Sequence, residues 1–216
     1  MKVSIGQLRH IIREELIREA GMNVSDALNS GMALYSTSNT QFETFVLYRA
    51  FGNDSIFKSL SDGLMDTPSA VRQSIVGVVR VAKKSGGIPA YIDGVRAKQG
   101  WGPLMYDIAL RYHGPLQPSP ESVSSDAQKV WDYYRKNRST KKGDTEYKAA
   151  SGGNPTQLQL KSRTSVNVVP LKDNHNEIYA RLRMSNKTIE REGEFYARLE
   201  NDLYRIGNEY LSTLNM

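Results

Sequence analysis

Tyr91-Ile92-Asp93-Gly94-Val95-Arg96-Ala97-Lys98-Gln99-Gly100-Trp101-Gly102-Pro103-Leu104-Met105-Tyr106-Asp107 is the stretch whose reading decides the fold. It runs strand, glycine turn, helix. Ile88 to Val95 has the composition of a strand. Gly100-Trp101-Gly102 breaks it, and Pro103 suits the first turn of a helix, where its missing N–H costs nothing. Leu104, Ile108, Ala109 and Tyr112 then recur at helical spacing until Gly114-Pro115 stops them. A helix opening directly off a strand presents unpaired amides and the positive end of its dipole at the junction. Glycines there let the backbone approach an anion such as a pyrophosphate. The candidate cradle is Gly100, Gly102 and the N–H groups of Trp101, Leu104 and Met105, with Arg96, Lys98 and Gln99 beside it. A tight strand-to-helix turn needs the same glycines, so both readings stand at this level. Two phosphate motifs are excluded. No Gly-Lys-Ser/Thr ending makes a Walker A loop, and the third glycine and distant acid of the dinucleotide fingerprint are missing.

Working outward, Ser74 to Ala82 is β-branched and apolar, and Lys83-Lys84-Ser85-Gly86-Gly87 closes it as a turn, which predicts a hairpin with the strand that follows. On the other side, 115–124 reads as a proline- and serine-rich loop. Ser125 with Gln128 has capping-box spacing. Ala127, Val130, Trp131 and Tyr134 form the apolar stripe of the next helix. The segment 135–154 is polar and basic and reads as a linker or mobile loop. Further out, 22–40 reads mostly as loop. Phe42 to Phe51 fits strand or helix equally, and 55–73 reads as a short helix and a loop interrupted by Pro68. Val166 to Val169 alternates as a strand ended by Pro170, and Ile178 to Met184 alternates as another. Two amphipathic helices bracket the chain. Residues 4–20 carry Leu8, Ile11, Ile12, Leu16 and Ile17 on one face; in 188–216, Tyr196, Leu199, Leu203, Ile206 and Tyr210 step at heptad spacing. The expected organisation is an N-terminal helix over 1–21, a mixed α/β (α+β) domain over 22–184 containing the basic loop 135–154, and a C-terminal helix over 185–216.

Composition narrows the function classes. The 216 residues fit one domain with appendages. No apolar run reaches the roughly 18 residues of a membrane span, and no secretory h-region follows Met1, so no membrane partner is expected. Cysteine is absent, which excludes disulfides, thiolate metal sites and a cysteine nucleophile. His10, His113 and His175 are dispersed, so no metal is expected. The 29 Lys and Arg against 23 acids leave +6, which suits a phosphate-bearing cofactor or, more weakly, nucleic acid through 135–148.

The central stretch resembles motif A of the GNAT-type N-acetyltransferases, Gln/Arg-x-x-Gly-x-Gly/Ala, with Gly100 and Gly102 at the glycine positions. Ala97 stands at the Gln/Arg position, with Arg96 one residue early. It resembles more closely a group of uncharacterised tailed-bacteriophage proteins. These share Lys98-Gln99-Gly100-Trp101-Gly102-Pro103-Leu104-Met105-Tyr106-Asp107-Ile108-Ala109 and Val123-Ser124-Ser125-Asp126-Ala127-Gln128-Lys129-Val130-Trp131-Asp132-Tyr133-Tyr134 in pattern. The resemblance covers about 60 residues well and the N-terminal helix loosely.

The resemblance implies a GNAT-like, mostly antiparallel sheet flanked by helices, with acetyl-CoA held in a cleft between splayed strands. Pro115, Pro118 and Pro120 crowd the place of the second such strand. It also implies direct acetyl transfer to an amine. Asp93 would take the amine's proton, and Tyr133 or Tyr134 would protonate the leaving thiolate. Ser125 opens the helix that follows and joins the cofactor set. Tyr134 lies on the apolar stripe and reads first as a core residue, whereas Tyr133 lies off it and is the better donor candidate. The alternative is a virion structural or assembly protein that keeps the fold without turnover. The heptad-like helix would then meet other phage virion proteins or a second copy, in the infected host cytoplasm or the virion.

Overall fold

The computed structural model describes residues 21–49, 66–87, 89–138, 140–141, 147–149, 157–160, 167–170, 176–187 and 194–212. The expected helix over 4–20 lies outside them.

The first described element corrects the loop expected over 22–40. Helix α1, Val24–Asn29, is set by a capping box. Asn23 Oδ1 accepts from the amides of Ser25 at 2.8 Å and Asp26 at 3.1 Å, while Asp26 Oδ2 accepts from the Asn23 amide at 2.9 Å. Strand β1, Met32–Ser38, pairs antiparallel with β2, Phe42–Arg49. Asn39 builds the turn, its side chain accepting from the amides of Gln41 at 2.9 Å and Phe42 at 2.7 Å. The Asn, Ser and Gly of this region therefore act as caps and turns around short elements.

Helix α2, Thr67–Ser74, begins after Asp66, whose carboxylate accepts from the Ser69 amide at 2.7 Å. Pro68 opens this helix rather than interrupting it. Strands β3, Ile75–Ala82, and β4, Tyr91–Ala97, form the expected hairpin, shifted at its second strand. Helix α3 spans Gly102–His113. Strand β5 is only Gln117–Pro118, and it pairs parallel to β4 through Tyr91↔Gln117 and Ile92↔Pro118. Proline is tolerable in β5 because that strand ends the sheet order β1-β2-β3-β4-β5. The molecule is thus a mixed α/β protein with an open, mostly antiparallel sheet flanked by helices.

After β6, Val123–Ser124, helix α4 covers Ser125–Asn137. Its cap is Ser124, whose Oγ accepts from the Ala127 amide at 3.1 Å, one residue before the expected Ser125. The basic segment then holds β7, Thr140–Lys141, and β8, Tyr147–Ala149, so it is more structured than a linker. Strand β9, Gln157–Leu160, joins β6 and β8, and β10, Asn167–Val168, pairs with β7. Residues 176–187 are a second correction: α5, Asn176–Lys187, is a helix where alternation predicted a strand. Tyr179 and Leu182 are buried one turn apart while Ala180 is exposed. Helix α6 covers Glu194–Ser212.

The sheet is buried on both faces. Alternation along β1 and β2 sends Leu34, Phe45 and Leu47 to the first face, beneath α1, α3, α4 and α5. It sends Ala33, Val46 and Tyr48 to the second, beneath α2 and α6. Leu203, Ile206 and Leu211 of α6 are buried there and hold that part of the helix on the sheet. Gly207 allows this approach, since a Cβ there would stand 3.0 Å from Val46 Cγ2.

Candidate functional site

The glycine turn joins the end of β4 to the mouth of α3, as the sequence predicts. The Lys98 amide donates to the Val76 carbonyl at 2.8 Å, tying the end of β4 to β3. The Trp101 amide donates to the Lys98 carbonyl at 3.0 Å. Between them Gly100 has φ +85°, a conformation that only glycine adopts without strain. Trp101 is the N-cap residue and offers no side-chain cap. The Met105 amide closes the first helical bond to the Trp101 carbonyl at 3.3 Å, and Pro103 has no N–H. Of the expected donors, Trp101 and Met105 are spent on the turn itself. Gly102 and Leu104 supply the first-turn amides that a helix leaves for an outside acceptor. The Leu104 and Met105 side chains are fully buried and root the mouth in the core. A Cβ on Gly102 would meet nothing within 4 Å, so the space beside the helix mouth is open there.

A strap crosses the turn. The Met22 amide donates to the Gly100 carbonyl at 2.8 Å, and a Cβ on Gly21 would lie 2.9 Å from Pro103 Cγ. Gly21 has φ +68°, so glycine is required there for conformation as well as for space.

The cations expected beside the cradle are engaged elsewhere. Arg96 donates from a terminal nitrogen to the Tyr210 carbonyl at 3.1 Å, with its guanidinium 4.5 Å from the Tyr210 ring centroid, and so holds the end of α6. Lys98 Nζ donates to the Gln73 carbonyl at 3.1 Å, near the end of α2. Gln99 is exposed, as is Ser125 at the start of α4.

The three residues expected to move protons are not brought together. Ile92 packs in the first core, and its neighbour Asp93 turns to the other face, where its carboxylate meets Arg80 Nε at 2.6 Å. Tyr134 is a core residue on the first face, only 1% exposed. Its hydroxyl lies 2.9 Å from Asp107 Oδ1 and 3.0 Å from the Pro103 carbonyl; having one proton, it donates to one of them at a time. Burial, and then the charge of Asp107, push its ionisation well above the ordinary tyrosine value. Tyr133 is 52% exposed and sits beside Tyr134, ring centroids 6.0 Å apart. Of the two tyrosines, Tyr133 therefore carries the accessible hydroxyl.

Sequence reading missed Asp107 and Arg138. Arg138 pairs with Asp107 and stacks 3.9 Å from the Tyr134 ring centroid, fastening the end of α4 to α3. Nothing local marks these residues, because their contacts join positions distant in the chain. Among the described residues no group of three or more His, Asp or Glu could hold a metal ion, and no helix is long and apolar enough to cross a membrane. The chain matches no family model, no curated protein and no solved structure.

Proposed function

We propose that this chain is a GNAT-like protein of the tailed-phage type that binds acetyl-CoA at the glycine turn and passes the acetyl group to an amine. The observation that carries the reading is the limited parallel pairing of β4 with β5. The two strands meet only at Tyr91↔Gln117 and Ile92↔Pro118, and β4 continues past that pairing to the turn at the mouth of α3. The family resemblance calls for two parallel strands that part to admit the cofactor, with a helix mouth at the end of the first. Open space beside Gly102 and the first-turn amides of Gly102 and Leu104 suit the pyrophosphate. Tyr133 is the reachable proton donor for the thiolate that leaves as the new N–C bond forms and the C–S bond breaks.

A second reading, a virion structural or assembly protein that keeps the fold without turnover, draws on a different observation. Asp93 is held by Arg80 on the sheet face away from Tyr133, so no paired base and acid face one cleft.

Thermal unfolding with acetyl-CoA tests the first reading, because a ligand that binds only the folded state raises its midpoint. At a concentration about 100 times its Kd the stabilisation is about 2.7 kcal/mol, a shift of roughly 5–10 °C for a chain of this size. Gly102→Ala should reduce that shift without lowering the unliganded midpoint, since its Cβ enters open space. No shift at millimolar acetyl-CoA ends the acyltransferase reading. A shift with no free thiol released in the presence of polyamines or lysine peptides would favour the second.

A further inference from the structure

We propose that a groove on the second face of the sheet, remote from the glycine turn, binds a neutral oligosaccharide. The groove has a volume of about 990 Å³ and runs between the ends of β1, β2 and β3 and helix α6. That is the upper end of the range for small-ligand clefts, which suits a short chain of sugar rings better than a single one.

The wall is a second stripe of α6. Asn201, Tyr204, Arg205 and Asn208 fall at helical spacing beside the apolar stripe of Leu203 and Ile206 that holds the helix on the sheet. The floor carries Tyr35, Phe42 and Thr44 from the strands. Tyr204 is 47% exposed at the edge, so about half of its ring is left open to a ligand.

The charge state selects the ligand. Arg80 is paired with Asp93 at 2.6 Å. Arg205 is paired with Asp202 and Glu209, each at 3.1 Å. Glu209 is further held by Arg72 at 2.6 Å. Each guanidinium in the lining therefore already faces carboxylate, and a phosphate or sulfate would have to compete with a fixed partner. The Phe42 ring is already covered by the Arg80 guanidinium 5.1 Å from its centroid, so beyond these pairs the groove presents the half-exposed Tyr204 ring and the amides of Asn201 and Asn208. A pyranose ring offers the complement: a face of C–H bonds for an aromatic ring, and an edge of hydroxyls that both donate and accept. Asn201 supplies both an amide donor and an acceptor at the exposed end. Asn208 spends one amide hydrogen on the Tyr204 carbonyl at 3.0 Å, which leaves its oxygen as an acceptor.

The test uses the full chain and a panel of neutral oligosaccharides of glucose, galactose and N-acetylglucosamine, read by saturation-transfer NMR and by calorimetry. The expected result is binding of at least one neutral sugar with affinity unchanged between low and high salt. Tyr204→Ala should weaken it roughly two- to tenfold, the worth of one aromatic contact, and Asn201→Ala should also weaken it. Both variants should melt with the parent, because both side chains are exposed. Three outcomes overturn the proposal: no neutral sugar binds at millimolar concentration; affinity survives Tyr204→Ala; or only acidic sugars bind and salt removes them. None depends on acetyl-CoA, so failure here is separate from failure of the acyltransferase reading.

Discussion

Tyr134 illustrates how one side chain can fit two roles in the sequence and one in the structure. Its place on the apolar stripe of α4 is legible from spacing, and so is the possibility of a proton donor. The structure buries it and engages its hydroxyl with Asp107 and the Pro103 carbonyl. Tyr134→Phe should lower the unfolding free energy by about 1–3 kcal/mol, since Asp107 loses a neutral donor in a partly dry site. Urea denaturation would check this, and an unchanged midpoint would remove the network from the account of stability. Gly77 makes the complementary point about space. A Cβ there would stand 2.7 Å from Met105 Sδ and 3.2 Å from Ala97 Cβ. Gly77→Ala should therefore cost about 1–3 kcal/mol by overpacking, read in the same experiment. His113 carries a pH prediction. Burial lowers its ionisation, and the Glu43 carboxylate 2.9 Å away only partly offsets this. Because the folded value is depressed, the unfolded chain takes up the proton first. This group therefore costs nothing well above the unfolded value of about 6.5, and stability falls as pH drops through that value toward the folded one. His113→Gln should flatten the stability profile between about pH 7 and 5.

Among the elements, those the sequence marked best are the ones with local punctuation. The hairpin of β3 and β4 and helix α3 are bounded by glycine, proline and lysine turns, and the structure keeps them nearly in place. The errors share a cause. In Ile178 to Met184 apolar residues alternate over too short a span to separate period two from period 3.6. Packing of Tyr179 and Leu182 against the sheet decided for helix. In 22–40 the capping and turn residues outnumber the apolar ones, and the buried half of β1 is only Met32, Ala33 and Leu34. Helix α6 lies within the segment expected to be helical, but spacing could not say what its Leu203 and Ile206 would meet. Ile206→Ala tests the answer. It should cost about 2–5 kcal/mol by leaving a cavity against the sheet, and the loss should be the same at high and low protein concentration. A concentration-dependent loss would move the seam to an intermolecular contact.

For the molecule as a whole, net charge gave a modest lean toward polyanions. Two of the basic residues that begin the segment 135–148 are already neutralised: Arg135 meets Asp132 at 3.0 Å, and Arg138 meets Asp107. The chain should therefore bind a short DNA duplex no more tightly than about 10⁻⁴ M at physiological salt, the weak end of non-specific association. Fluorescence anisotropy across a salt series would check this; tight binding with a steep salt slope would restore the nucleic-acid reading.

The sequence by itself determined the strand–turn–helix unit at Gly100, the hairpin before it and the absence of cysteine. Each of these follows from residue types at short spacing, where the backbone's conformational rules act directly. Only the tertiary structure decided that Asp93 faces Arg80, that β5 exists as two residues beside β4, that Tyr134 is core, and that α6 frames a polar groove. Those outcomes depend on which face of the sheet each side chain turns to and on what distant segment waits there. Contacts between positions far apart in the chain leave no period in the sequence to be read.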